Sequence, residues 1–233
     1  MVNTMGQDKK GQAAREGLDI SMLTAAFGLA ATLHNGQVRK GSEAPYLGHL
    51  LGVAELVMVF GGTSIEIAAA LLHDAVEDTG GRARLMDIER TCGTEVAAVV
   101  DACSDSFTDT TTGVRKEAWL VRKSRYIDHL ASGDLPNGAV LVSACDKLHN
   151  LSATRLDFEA VGEPVWERFK TGCPGQLWYY RSLLGVYRSS PDPRVGEVAQ
   201  RLGRELQLLE DALQQAGHDL SVSDDLPFDE ESN

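Results

Sequence analysis

Apolar residues recur every three or four positions through most of this chain, and no stretch alternates as a half-buried strand would. Met22, Ala26, Leu29 and Leu33 share one face of a first helix, capped by Asp19 or Ser21 and ended by His34-Asn35-Gly36. A glycine-rich loop covers 35–48, and a second helix runs from about Leu50 to Phe60, where Gly61-Gly62 stops it. Thr63 or Ser64 caps a third, from about Ile65 to Glu77, apolar almost all round and therefore central and buried. Short helices follow over 84–92 and 94–103, then a polar loop over 104–112. Helical pattern returns over 114–130, 139–158, 163–187 (interrupted near Gly172-Pro174-Gly175) and 195–216. The prediction is an all-α fold, a single helical bundle of about eight to ten helices over 19–216.

Composition agrees with that reading and bounds the partners. Hydrophobic residues are 43%, aromatics only 6%, and the apolar set is mainly Ala, Leu and Val, which favours helix. The net charge is −12, and residues 217–233 supply half of it: Asp219, Asp224, Asp225, Asp229, Glu230 and Glu231, with no Lys or Arg. That composition predicts a disordered acidic C-terminal tail, and the polar residues 1–18 a flexible N-terminus. An acidic body argues against non-specific binding to nucleic acid or an anionic membrane. Cys92, Cys103, Cys145 and Cys173 form no C-x-x-C pair and read as buried free thiols in a reducing compartment. With no export signal and no long apolar run, a cytoplasmic location is expected.

Chemistry concentrates at AALLHDAVEDT, where His73, Asp74, Glu77 and Asp78 fall within six positions on an apolar helix. Burying such a set costs several kcal/mol unless a cation compensates. His73 and Glu77 are spaced i,i+4, as are Asp74 and Asp78, giving two adjoining strips. A His-Asp pair cannot fill a coordination sphere, so other helices must contribute. His34 is one candidate, although a helix-end histidine is more often structural. Asp146, inside the apolar run VLVSACDKLHNL, is another, with a structural arginine as its alternative partner. Arg115, Lys116, Arg122, Lys123 and Arg125 make the densest basic stretch of an acidic chain, either an anion site or a solvated helix face. Trp166, Phe169, Trp178, Tyr179 and Tyr180 could stack a base, but they read chiefly as packing for the C-terminal helices.

HNGQVRKGSEAPYLGH (34–49), LLHDAVEDT (71–79) and ACDKLHNL (144–151) together resemble the HD hydrolase domain of the RelA/SpoT family, over about residues 20–160. The layout is similar to the stand-alone small alarmone hydrolases and their metazoan relatives. The resemblance implies that His34, His73, Asp74 and Asp146 hold one divalent ion, usually Mn²⁺, which suits a mixed nitrogen and oxygen set. It implies that Glu77 and Asp78 orient or activate water. It implies substrate-binding roles for Arg39 and Lys40 beside the guanine, for Lys147 and Asn150 along the nucleotide, and for Arg122 and Lys123 near its phosphates. His49, in the Pro-Tyr-x-x-His stretch, and His149 are expected to be structural or supporting.

The implied reaction is hydrolysis of the 3′-pyrophosphate of ppGpp or pppGpp to GDP or GTP and pyrophosphate, by a hydrolase without a synthetase region. This chain departs from the family near the base pocket: Leu50 follows His49 where Pro is common, and Ser152 stands where many members carry Arg. Those departures bear on the choice of nucleobase. An adenine alarmone such as ppApp, or NADPH, is the alternative substrate. A non-catalytic nucleotide-binding protein would break the ligand set or the Glu-Asp pair, and all six residues are present.

Overall fold

The structure, a computed structural model, describes residues 17–109 and 112–220. Most of the two terminal segments, 1–18 and 217–233, lies outside them. Among the described residues there are ten α-helices and no sheet, only an isolated antiparallel bridge between Val38 and Pro45. The helices are α1 Ile20–Leu33, α2 Leu47–Val59, α3 Ser64–Leu72, α4 Ala75–Thr79, α5 Arg82–Cys92, α6 Thr94–Cys103, α7 Trp119–Ala131, α8 Ala139–Val161, α9 Gly172–Arg188 and α10 Pro193–Gln215, with a 3₁₀ segment at Glu163–Arg168. No described helix is long and apolar enough to cross a membrane.

The centre is α3. Residues 66–72 are all buried, and the helix packs against α1, α2, α6 and α8. It begins with a capping box: Thr63 Oγ1 accepts from the Glu66 amide, and Glu66 Oε2 accepts from the Thr63 amide at 2.6 Å. Asp19, which caps α1 through the Met22 amide, also donates its own amide to Ser64 Oγ at 2.9 Å, so the two helices start together. The 23-residue α8 lies alongside α10, and both contribute long buried faces.

Glu66 is only 2% exposed and is gripped twice. Besides the cap, its carboxylate accepts from Arg194 Nη1 at 3.0 Å and Nη2 at 2.8 Å, fastening the start of α10 to the core. Gly138 (φ 90°) passes so close that a Cβ there would meet the Glu66 side chain at 2.4 Å. Removing one partner of a buried ion pair strands the other charge. Arg194→Ala is therefore expected to destabilise the fold by about 3–5 kcal/mol, read from the urea midpoint. A loss below about 1 kcal/mol would mean that the pair is effectively solvated.

Most boundaries fall close to those predicted, with instructive shifts. The second helix starts at Leu47, inside the expected loop, and the basic stretch becomes helical only at Trp119. The interruption expected near Gly172-Pro174-Gly175 falls at 169–171, and those three residues open α9, where a missing proline N–H costs nothing. The largest difference is at the chemistry itself. The helix expected to run through Glu77 breaks after Leu72, and His73 and Asp74 form a turn before α4.

Candidate functional site

At the break a side chain turns back onto the helix. His73 Nδ1 donates to the carbonyl of Ala70, 2.8 Å away, and so binds a backbone acceptor of its own helix. The residues on either side, Leu72 and Ala75, are fully buried, so the turn is held deep in the protein. That hydrogen bond fixes the tautomer: with the proton on Nδ1, Nε2 of the neutral ring carries a lone pair. Nε2 faces two carboxylates, Asp74 Oδ2 at 2.9 Å and Asp146 Oδ1 at 3.4 Å.

Asp146 comes from the middle of α8 and is 3% exposed. Burial opposes its ionisation, but Lys147, bonded to it at 2.5 Å, and His73 together hold its carboxyl well below the usual range. Asn150, one turn on, donates to its Oδ1 at 2.6 Å. From α2, His49 Nε2 lies 3.2 Å from Asp146 and 3.5 Å from Asp74. Its other nitrogen meets His149 Nδ1 at 3.0 Å. Tyr46 donates its hydroxyl to Asp74 at 2.5 Å and stacks on His34.

These atoms pass a test for a metal site. His49, His73 and Asp146 each offer a ligand atom, all within 4.8 Å of one another. The Nε2 atoms of His34, His49 and His73 are buried without a hydrogen-bond partner. Lone pairs and carboxylates converging in a largely buried site need a cation between them. Burial disfavours a charged His73, yet the flanking Asp74 and Asp146 raise its pKa well above normal, which is the same demand expressed for a proton. A divalent ion bound to nitrogen and oxygen ligands meets it equally well.

The acids of α4 are held apart from that cluster by different partners. Glu77 Oε1 accepts from the Asp105 amide at 2.9 Å, and Oε2 pairs with Lys116 at 3.3 Å. Burial first, and then the Asp105 charge, push its carboxyl up to about 7. Asp78 is raised by burial and by Asp74, and its Oδ2 accepts from Gln37 Nε2 at 2.9 Å.

Beside Asp146 opens a cavity of about 300 Å³, lined by Arg39, Lys40, Lys123, Lys147 and Arg168 together with Tyr46, Trp119, Phe169, Tyr179 and Tyr180. Asn150 also lines it and accepts from Arg39 at 3.1 Å. Lys123 and Lys147 both sit over the Tyr179 ring, whose hydroxyl is buried without a partner. The cavity is cationic and aromatic at once, which suits a nucleotide anion.

The structure thus brings together His73, Asp74 and Asp146, and puts Arg39, Lys40, Lys123, Lys147 and Asn150 on one cavity wall. His34 lies outside the tight group, one ring away across Tyr46. Arg122 is not on the cavity surface: it pairs with the buried Asp105, which Lys123 also holds at 2.5 Å. His49, expected to be structural or supporting, lies with the cluster, and Tyr46, Asp105, Trp119 and Arg168 were not singled out from the sequence. Tyr46 and His49 are spaced i,i+3 at the start of α2, a signal that was available. Asp105 and Arg168 sit in or beside irregular segments whose partners come from elsewhere. The C-terminal aromatics do pack the core, as expected, yet Phe169, Tyr179 and Tyr180 also face the cavity.

A profile described as HD domain matches residues 26–163. The guanosine-3′,5′-bis(diphosphate) 3′-pyrophosphohydrolase MESH1 of Xenopus tropicalis is 35% identical over 136 residues, 57% of this chain and 69% of that protein. The Homo sapiens protein of the same name is 36% identical over 138 residues, 58% of this chain and 70% of its own length. Among solved structures, a Listeria monocytogenes protein superposes with a TM-score of 0.53 at 29% identity, covering 71% of this chain and 99% of its own. A metazoan orthologue of SpoT, which hydrolyses ppGpp, shares the fold with a TM-score of 0.56 at 24% identity, over 84% of this chain and 96% of its own.

Proposed function

This chain belongs to the HD-domain family, and on that premise we propose that it is a metal-dependent phosphohydrolase that removes the 3′-pyrophosphate of ppGpp or pppGpp. The products are GDP or GTP and pyrophosphate. One observation carries the reading: unpartnered imidazole nitrogens and buried carboxylates cluster beside a cationic, aromatic-walled cavity, with Lys147 belonging to both. The names of the vertebrate relatives support the same substrate.

In this reading His34, His73, Asp74 and Asp146 hold one Mn²⁺ ion, and His49 steadies the two carboxylates. The ion supplies Lewis-acid polarisation of a phosphate oxygen and raises the acidity of water. Glu77 and Asp78 orient the attacking water, and one of them takes its proton. Lys123 and Lys147 neutralise charge that grows on the phosphoryl oxygens. Arg122 acts at one remove, by fixing Asp105, whose other partner is Lys123. Arg39 and Lys40 face the base, with Asn150 holding Arg39 in place. The substrate is a small nucleotide met in the cytoplasm, not nucleic acid or membrane, and residues 19–216 act as one catalytic unit.

The test is a release assay on protein stripped by a chelator and then reloaded. Stripped protein is expected to lose activity with ppGpp, and Mn²⁺ to restore it. Parallel reactions with ppApp and NADPH measure selectivity. No pyrophosphate from ppGpp, with turnover of another nucleotide, would reassign the substrate. No turnover of any of the three would leave a nucleotide-binding protein.

A further inference from the structure

We propose that Gln37 is a positioning residue: its single side-chain amide sets the tautomer of His34 and the orientation of Asp78 together. This rests on the metal-dependent reading above. Gln37 sits three residues beyond His34, in a turn closed by its own amide donating to the His34 carbonyl at 3.0 Å. Gly36, at φ 76°, allows that turn. Its side chain then bridges two elements far apart in sequence. Oε1 lies 2.7 Å from His34 Nδ1, and Nε2 donates to Asp78 Oδ2 at 2.9 Å.

The chemistry permits one arrangement. An ionised carboxylate only accepts, so Asp78 must receive the NH₂ end of the amide. The carbonyl end therefore faces His34, and Nδ1 must carry the ring proton. That leaves the lone pair on Nε2, the atom that is buried without a protein partner. A histidine so fixed is ready to bind a metal. The same amide occupies Oδ2 of Asp78 and leaves its other oxygen for water. Neither residue needs the other directly; both depend on Gln37.

Two substitutions separate the two ends. Gln37→Leu removes both contacts. Gln37→Glu keeps an acceptor for His34 Nδ1–H but presents a carboxylate to Asp78, which repels it. The measurements are Mn²⁺ affinity by calorimetry on stripped protein, kcat and KM for ppGpp, and the melting temperature. Gln37→Leu is expected to weaken Mn²⁺ binding by about 10- to 100-fold, the usual effect of losing such a support, and to lower kcat. Gln37→Glu is expected to bind Mn²⁺ like the wild type while kcat falls by about tenfold or more and KM holds. Wild-type Mn²⁺ affinity in Gln37→Leu would overturn the inference. So would equal loss of affinity in both variants, because the residue would then only shape the loop. A wild-type protein that binds no Mn²⁺ would instead refute the metal-dependent reading itself.

Discussion

Replacing His73 with alanine is expected to remove tight Mn²⁺ binding and to lower kcat/KM by at least about a thousandfold. A metal acting on a phosphoryl group supplies several kcal/mol of transition-state stabilisation, and about 4 kcal/mol corresponds to three orders of magnitude. His73 is central for a geometric reason. At the helix break, its Nδ1 bond to Ala70 fixes the ring so that Nε2 faces Asp74 and Asp146 together. Alanine keeps neither the bond nor the ligand. Asp146→Asn provides a gentler companion, close in shape but without the charge, and should fail in the same way. Calorimetry and a release assay, run on protein whose fold is verified by circular dichroism, check both. Either variant binding Mn²⁺ with wild-type affinity would remove His73 or Asp146 from the ligand set.

Much of this was legible in the chain, and what was not has a physical explanation. Helix positions followed from apolar spacing and caps, because α3 must be apolar all round to sit among four neighbours. The HD pair and Asp146 stood out because ionisable groups in apolar runs need a partner, Lys123 stood out by the density of basic residues around it, and Arg39, Lys40 and Lys147 came from the family resemblance alone. The break at His73 was hidden: the pattern Ile65–Val76 carries no Gly or Pro to mark it, and the side-chain to backbone bond found there has no sequence signature. For His49 a supporting role was legible, but its partner was not: nothing in its neighbourhood shows that α2 delivers its Nε2 to Asp146, nearly a hundred positions later. Arg122 and Lys123, adjacent in sequence, looked equivalent. They share Asp105, but only Lys123 reaches the cavity surface. For Tyr179 and Tyr180 the sequence offered packing or base stacking and could not choose, since packing and lining a cavity require the same residue types; the two do both.

Glu77→Gln is expected to separate binding from turnover: Mn²⁺ affinity near that of the wild type, with kcat lower by about 10²- to 10⁴-fold, the range for loss of a general base. Glu77 hydrogen-bonds none of the proposed ligands His34, His73, Asp74 and Asp146; its oxygens are held by the Asp105 amide and Lys116. Glutamine can still accept from that amide, so the loop stays in place while the proton acceptor is lost. The pH profile gives a second readout. Burial and Asp105 push the Glu77 carboxyl up to about 7. A base works only when ionised, so wild-type activity should fall as pH drops through that region. Bound Mn²⁺, Lys123 and Lys116 favour the ionised form, so the acid limb of kcat/KM should lie at or below about 7. Residual activity of Glu77→Gln should lack that limb, since glutamine does not titrate. A variant with wild-type kcat, or with an unchanged acid limb, would pass the proton-accepting role to Asp78, whose place is set by Gln37 and not by Asp105.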